Sequence, residues 1–287
     1  GKMAENYKYI KEYLQTSVGT QGTLLIPRKI HDVLLEEVFK ALIPRTEAAL
    51  YVGPADIPGS SYEYNLVTRD SMDVREVGEG SELILDRPSY TTTNSRPVKY
   101  GVAVRITREL LEDSKWNLLK HSVEVAGRRL AENENSLVLT ALNTASNTVT
   151  GGAQITIANI TRAMQFLEDL DYTATTLVVG KEVLNDLRNI STFHTSFRPG
   201  LNEFLETGFI GTLLGMKVVQ VSPNTGTAST LRAWVFDQRH AYAITEKRPI
   251  TVENFDLPTF DMSAAAVTQR ITVTALRSEA IALVTTT

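Results

Sequence analysis

Hydrophobic positions change period several times along this chain. Over residues 98–114, VKYGVAVRITRELLEDS, the residues Val98, Tyr100, Val102, Val104 and Ile106 alternate with others, which predicts a half-buried strand. Thr107 then places a side-chain oxygen ahead of Leu110 and Leu111, the pattern of a helix start, with no turn residues between. From Lys115 to Asn143, after a cap at Asp113-Ser114, the spacing is helical. Leu119, Val123, Ala126, Leu130, Leu137 and Ala141 form one apolar stripe. In this register Arg128, Arg129, Glu132 and Glu134 fall off the stripe and are expected in solvent. Asn133 lies inside it, as a hydrogen-bonded register point.

Upstream, residues 1–22 are polar and then rich in Gly and Thr, which predicts a short helix over 5–14 within an arm. Ile30, Val33, Leu34, Val38 and Leu42 predict an amphipathic helix stopped by Pro44. Residues 57–106 are different. SYEYNLVTR and PSYTTTNSRPVKYGVAVRIT are strand-like, but DSMDVREVGEGSELILDR between them is charged. A two-stranded ribbon of this kind is marginal alone, because few of its positions can bury a face on the chain's own core. It is expected to lie on something else.

Downstream, turn chemistry at Gly151-Gly152 breaks the pattern, and mixed α and β segments follow. ITRAMQFLEDL and KEVLNDLRNI predict helices, and TTLVVG predicts a buried strand. Residues 191–208 are loop-rich. MKVVQVS and RAWVFDQ read as strands on either side of a turn at 224–230. RPITVENFD and TQRITVTALRSEAIALVT read as long strands closing a sheet. No internal repeat is present.

Charge and chemistry narrow the reading. The net charge is −4, and the longest basic run is a pair such as Arg128-Arg129, which argues against sequence-specific nucleic-acid binding. With no cysteine, disulfides, thiolate metal sites and thiol nucleophiles are excluded. No apolar run reaches membrane-spanning length, and GKMAENYKYI lacks the core of a signal peptide. Met3 looks like a start, so Gly1 is expected to be either a cloning remnant or the end left by a protease.

No catalytic constellation emerges. His31, His121, His194 and His240 are far apart, without the close pairs that metal sites use. VGEGSE lacks the third glycine of a dinucleotide loop, and GFIGTLLG lacks the lysine of a phosphate loop; both read as turns. Glu36-Glu37 and Glu168-Asp169 read as solvated helix faces. The expectation is a protein that is not an enzyme, with no cofactor and no metal.

The order of elements resembles the major capsid proteins of tailed phages and related archaeal viruses, with their Hong Kong 97-type fold. IPRKIHDVLLEEVFKALIPRTEAALYV is similar to the helix that follows the N-terminal arm. VREVGEGSE and PVKYGVAVRITRELLEDS resemble the extended loop and its return into the spine helix. GTLLGMKVVQVSPN, AWVFDQRHAYAITEKRPITVE and QRITVTALRSEAIALV resemble the axial-domain strands, the passage back and a final peripheral strand.

The resemblance implies an α+β fold in six parts. These are an N-terminal arm (1–29), an entering helix and the peripheral domain's start (30–56), and an extended loop (57–106). The spine helix (107–147), axial domain (148–246) and closing peripheral strands (247–287) complete it. It implies that the strand at 98–106 is the loop's returning limb, projecting away from the core over a neighbour. The implied function is self-assembly into rings of five and six that close an icosahedral shell around double-stranded DNA. The implied partners are further copies of itself, portal, scaffolding or decoration proteins, and DNA by proximity, with no membrane. The place is the virion capsid, assembled in the host cytoplasm.

An encapsulin-like nanocompartment enclosing a cargo enzyme is the alternative, although those shells lack such an arm and tend to a shorter loop. Arg69, Arg75, Glu76, Glu79, Glu82, Arg87 and Arg96 are the implied inter-subunit residues of the loop. In one branch of the family a loop lysine forms an isopeptide bond with a neighbour's asparagine. Residues 60–98 here contain arginines but no lysine, so a non-covalent shell is expected.

Overall fold

The computed structural model describes residues 43, 45–68, 72–82, 85–107, 118–189, 211–221, 231–257 and 262–286. The expected arm, the helix over 30–42, the helix start after Thr107 and the segments 191–208 and 224–230 lie outside the described residues. So do His31, His194, Glu36-Glu37 and Arg69.

In chain order, β1 (Leu50–Val52) precedes two ribbon strands, β2 (Tyr62–Val67) and β3 (Tyr90–Ser95). β4 (Val98–Thr107), α1 (Leu118–Leu142), β5 (Asn147–Thr150), α2 (Ile157–Glu168), β6 (Thr176–Val179) and α3 (Lys181–Arg188) follow. The last strands are β7 (Thr212–Leu213), β8 (Met216–Gln220), β9 (Arg232–Phe236), β10 (Tyr242–Leu257), β11 (Met262–Ala275) and β12 (Ile281–Thr285).

Two sheets carry the structure. A six-stranded sheet has the order β5-β12-β9-β6-β8-β7, and a four-stranded sheet has the order β1-β10-β11-β4. In β9, Ala233 and Val235 face one way and Trp234 and Phe236 the other, and all four are buried. Such a strand reads as a continuous apolar run because both of its faces are covered. On one face, α2 and α3 pack Ile160, Leu167, Val183 and Leu187 against Leu177, Val179 and Val235. On the other, Val138, Leu139 and Leu142 of α1 meet Val178, Trp234 and Phe236, together with Tyr242, Ile244 and Ile271. α1 and the start of β10 therefore join the two sheets.

Local chemistry explains the breaks. Pro97 separates β3 from β4 by withholding a ladder donor. Leu214 and Gly215 both have positive φ, 51° and 82°, the turn that links β7 to β8. Gly151 is fixed by a close approach: a Cβ there would stand 2.4 Å from Asn159 Nδ2.

Three expectations change. First, the strand at 98–106 does not project from the core: β4 pairs with β11 over ten positions, from Val98↔Ile271 to Thr107↔Met262. Alternation shows that a strand has one buried face but not which strand it pairs with. Second, β10 continues through the expected boundary at 246/247, with register shifts on either side of Arg248. β12 pairs with β9 and β5, so it groups with the expected axial segment and not with the closing strands. Third, the buried face of α1 is rotated from the expected stripe. Glu132 and Glu134 are buried, and Asn135, not Asn133, is the polar residue held inside, accepting a hydrogen bond from the Ile43 amide at 2.8 Å. Arg128 and Arg129 are exposed, as are Glu168 and Asp169.

Candidate assembly surface

The ribbon is rooted firmly and ends in the open. β2 and β3 pair antiparallel from Tyr62↔Ser95 to Val67↔Tyr90 and form a sheet of their own. At the root, the hydroxyls of Tyr64 and Ser95 each lie 2.7 Å from Thr245 Oγ1, and Thr274 donates to Ser95 at 3.1 Å. Burial pushes the Tyr64 phenol up, against the opposing effect of its bond to Thr245. Arg277 donates to the Val67 carbonyl at 2.6 Å. Val52, Ile57, Tyr64 and Ala243 make a small apolar cluster beneath.

Beyond Val67 and Tyr90 the described residues of the loop belong to none of the apolar clusters. Met72, Val74 and Leu85 are 62%, 103% and 94% exposed. Exposed apolar groups gathered on a projecting element mark a surface that another molecule covers. The loop nevertheless has internal order. The Asp73 amide donates to Asp86 Oδ2 at 3.2 Å, and Arg75 reaches Asp86 at 3.4 Å and Asp73 at 3.5 Å. Ser81 donates to the Gly78 carbonyl at 3.0 Å, and Gly80 has φ of 80°, which closes the far turn.

Of the expected site residues, Arg75 is engaged inside its own loop. Glu76, Glu79, Glu82 and Arg87 are exposed along it. Arg96 is exposed at the root, apart from the others.

A second constellation escaped sequence reading. Arg45 forks onto Glu134 with bonds of 2.8 and 2.9 Å and reaches Glu246 at 3.2 Å. Burial opposes the Arg45 charge, but the hydrogen bond and proximity of Glu134, with Glu246 and Tyr51 nearby, outweigh it and raise its pKa. Gln269 donates to the other Glu246 oxygen at 2.9 Å, and the Tyr51 hydroxyl bonds to Glu246. Burial first, then that bond, pushes the Tyr51 phenol up to about 12. Close by in sequence, Glu47 accepts from Lys217 at 2.5 Å and from Thr176 at 2.7 Å. Residues 45–47 thus tie α1, β10 and the six-stranded sheet together. The available signal was the four-residue spacing of Leu130, Glu134, Val138 and Leu142, which puts Glu134 on the buried face.

Among the described residues, no group of three or more His, Cys, Asp or Glu could hold a metal. His240 rests on Asp237 at 3.0 Å in the turn after β9, a local cap. Among the described residues, no helix is long and apolar enough to cross a membrane.

Comparison with known structures identifies the fold. The chain matches a structure from Mycobacterium phage Che8 with a TM-score of 0.65 at 16% identity, covering 79% of this chain and 84% of that one. The mature capsid of bacteriophage PhiM1 matches with a TM-score of 0.64 at 13% identity, covering 86% and 87%. A virus-like particle from Pyrococcus furiosus matches at 0.60 and 13%, covering 90% and 98%. No curated protein matches. The architecture is the Hong Kong 97-type capsid fold. A family model described as phage capsid protein matches residues 90–285, and the chain belongs to that family. It is a major capsid protein, one of many copies in a virion shell.

Proposed function

We propose that the subunit builds its shell by geometry alone, without catalysis. Copies form rings of five and six, and each ribbon reaches across a ring boundary to a neighbour. The observation that carries this reading is a firmly rooted ribbon whose far end exposes Met72, Val74 and Leu85. A standard interface buries about 1,600 Å² in total, and a subunit touching several neighbours sums modest contacts through multivalency. The enclosed cargo is double-stranded DNA, held without specific contacts by a protein of net charge −4. Portal, scaffolding and decoration proteins complete the assembly in the host cytoplasm. The family match favours a genome container over a compartment for a cargo enzyme.

Two measurements test the proposal. Light scattering on the purified protein should give rings or shells, and a stable monomer near 31.7 kDa at high concentration would overturn the reading. The shell should also be non-covalent. Boiling particles in detergent should release one monomer band, because residues 60–98 offer no lysine amine for an isopeptide bond. A ladder of linked subunits would refute this.

A further inference from the structure

Three cations stand side by side on the four-stranded sheet. Arg248 of β10 is opposite Arg270 of β11, and Arg270 is opposite Lys99 of β4. Gln269 and Ile271 on either side of Arg270 are buried toward the core, so the row points the other way. Neighbouring strands lie about 4.8 Å apart, so the row spans about 10 Å at the backbone. Like charges directly opposite one another are destabilising. Among the described residues none of the three takes part in an ion pair. Glu253 lies further along, opposite Ala266.

The row is rich in idle donors. A guanidinium offers five N–H donors and an ammonium three. Among the described residues Arg248 makes one bond, from Nη2 to Thr268 Oγ1 at 2.9 Å. Arg270 makes one, from Nη2 to the Pro97 carbonyl at 3.4 Å. These bonds hold both guanidiniums in place, and the Thr251 hydroxyl steadies that of Thr268 at 3.2 Å. The Nε of Arg248 is closed to solvent and meets no acceptor. Its charge is therefore neither fully hydrated nor neutralised, which is costly without a counter-ion and strengthens the pull on one. Lys99 is exposed and gives access from solvent. Beside it Gly101 keeps the face bare, since a Cβ there would stand 3.0 Å from Thr268 Cγ2.

We infer that Arg248, Arg270 and Lys99 form an oxyanion site for a free phosphate or the terminal phosphate of a nucleotide. Charge and oxygen count select this ligand. A carboxylate brings one charge and two oxygens, and a nucleic-acid diester brings one charge and two free oxygens. A terminal phosphate carries roughly 1.5 to 2 negative charges at neutral pH and three strong acceptor oxygens, closer to what three cations leave unmatched. Two forked guanidiniums fit its geometry, and the lysine adds a mobile point charge.

Equilibrium dialysis of radiolabelled inorganic phosphate against the full chain tests the site. At about 0.15 M chloride, wild type should take up phosphate saturably, one per subunit. K99Q should bind roughly tenfold more weakly, and R270Q/K99Q should show no saturable uptake. Neither variant should melt below wild type in chloride, because each removes like-charge repulsion. Added phosphate should raise the wild-type melting temperature more than that of R270Q/K99Q, which separates binding from the general salting effect of phosphate. Displacement of the label by AMP more readily than by unlabelled phosphate would assign the site to a nucleotide, and the reverse to free phosphate. No saturable uptake by wild type, or equal uptake by R270Q/K99Q, would overturn the site. Displacement by a short DNA duplex lacking terminal phosphates would overturn it too, giving the row to backbone diesters.

Discussion

Replacing residues 69–88 by Asn-Gly should leave a folded subunit that no longer builds shells. The ladder makes this a clean cut: Val67 pairs with Tyr90, and the Thr68 amide donates to the Ser89 carbonyl at 2.8 Å. A two-residue Asn-Gly turn suits strands already in that register. No described residue of 69–88 belongs to either core, Met72, Val74 and Leu85 are exposed, and the root bonds at Tyr64, Ser95 and Arg277 remain. Shortening the connection from twenty residues to two should stabilise the subunit by about 2 kcal/mol through lower loop-closure entropy. Denaturation followed through buried Trp234 would read that change. Electron microscopy would read the loss of shells. Normal shells from the shortened chain would remove the loop's proposed role, and an unfolded product would show that the loop supports the core.

The ribbon was legible because its composition contradicts its setting: β-branched strands flank a charged segment in which few positions can bury a face on the chain's own core. The helices α2 and α3 and the strands β6, β8 and β9 were also legible. Amphipathic spacing or a short continuous apolar run identifies each of them locally. What stayed hidden was long-range. The alternation in β4 fits a projecting limb and a sheet strand equally well, and only the pairing with β11 decides between them. The α1 stripe was read partly at seven-residue spacing, through Leu130 and Leu137. An α-helix drifts by about 20° per heptad, so that reading slides off the true face. Burial instead follows Leu130, Glu134, Val138 and Leu142, with Ala131, Asn135 and Leu139 beside them. Arg45 lies 89 residues from Glu134 and 201 from Glu246, so no local pattern could join them.

Removing Arg45 should cost the fold more than any other single change to the described polar residues. Glu134 and Glu246 have side-chain exposures of only 3% each, and among the described residues Arg45 is the cation paired with both. Breaking a buried ion pair by deleting one partner typically costs about 3–5 kcal/mol, because the remaining charge is left unpaired in a poor solvent. At about 2–4 °C per kcal/mol for a chain of this size, the melting temperature should fall by roughly 10 °C. R45M keeps much of the side chain's bulk, so its loss would report charge and not packing. R45K should fall between R45M and wild type, since an ammonium restores the charge but not the fork onto Glu134. Adding E134Q and E246Q to R45M should recover much of the loss, because neutral amides are easier to bury than bare carboxylates. These measurements belong in the loop-shortened chain, where shell formation does not stabilise the subunit by mass action. An R45M variant that melts within about 1 °C of its parent would show that Arg45 does not hold the two sheets and α1 together.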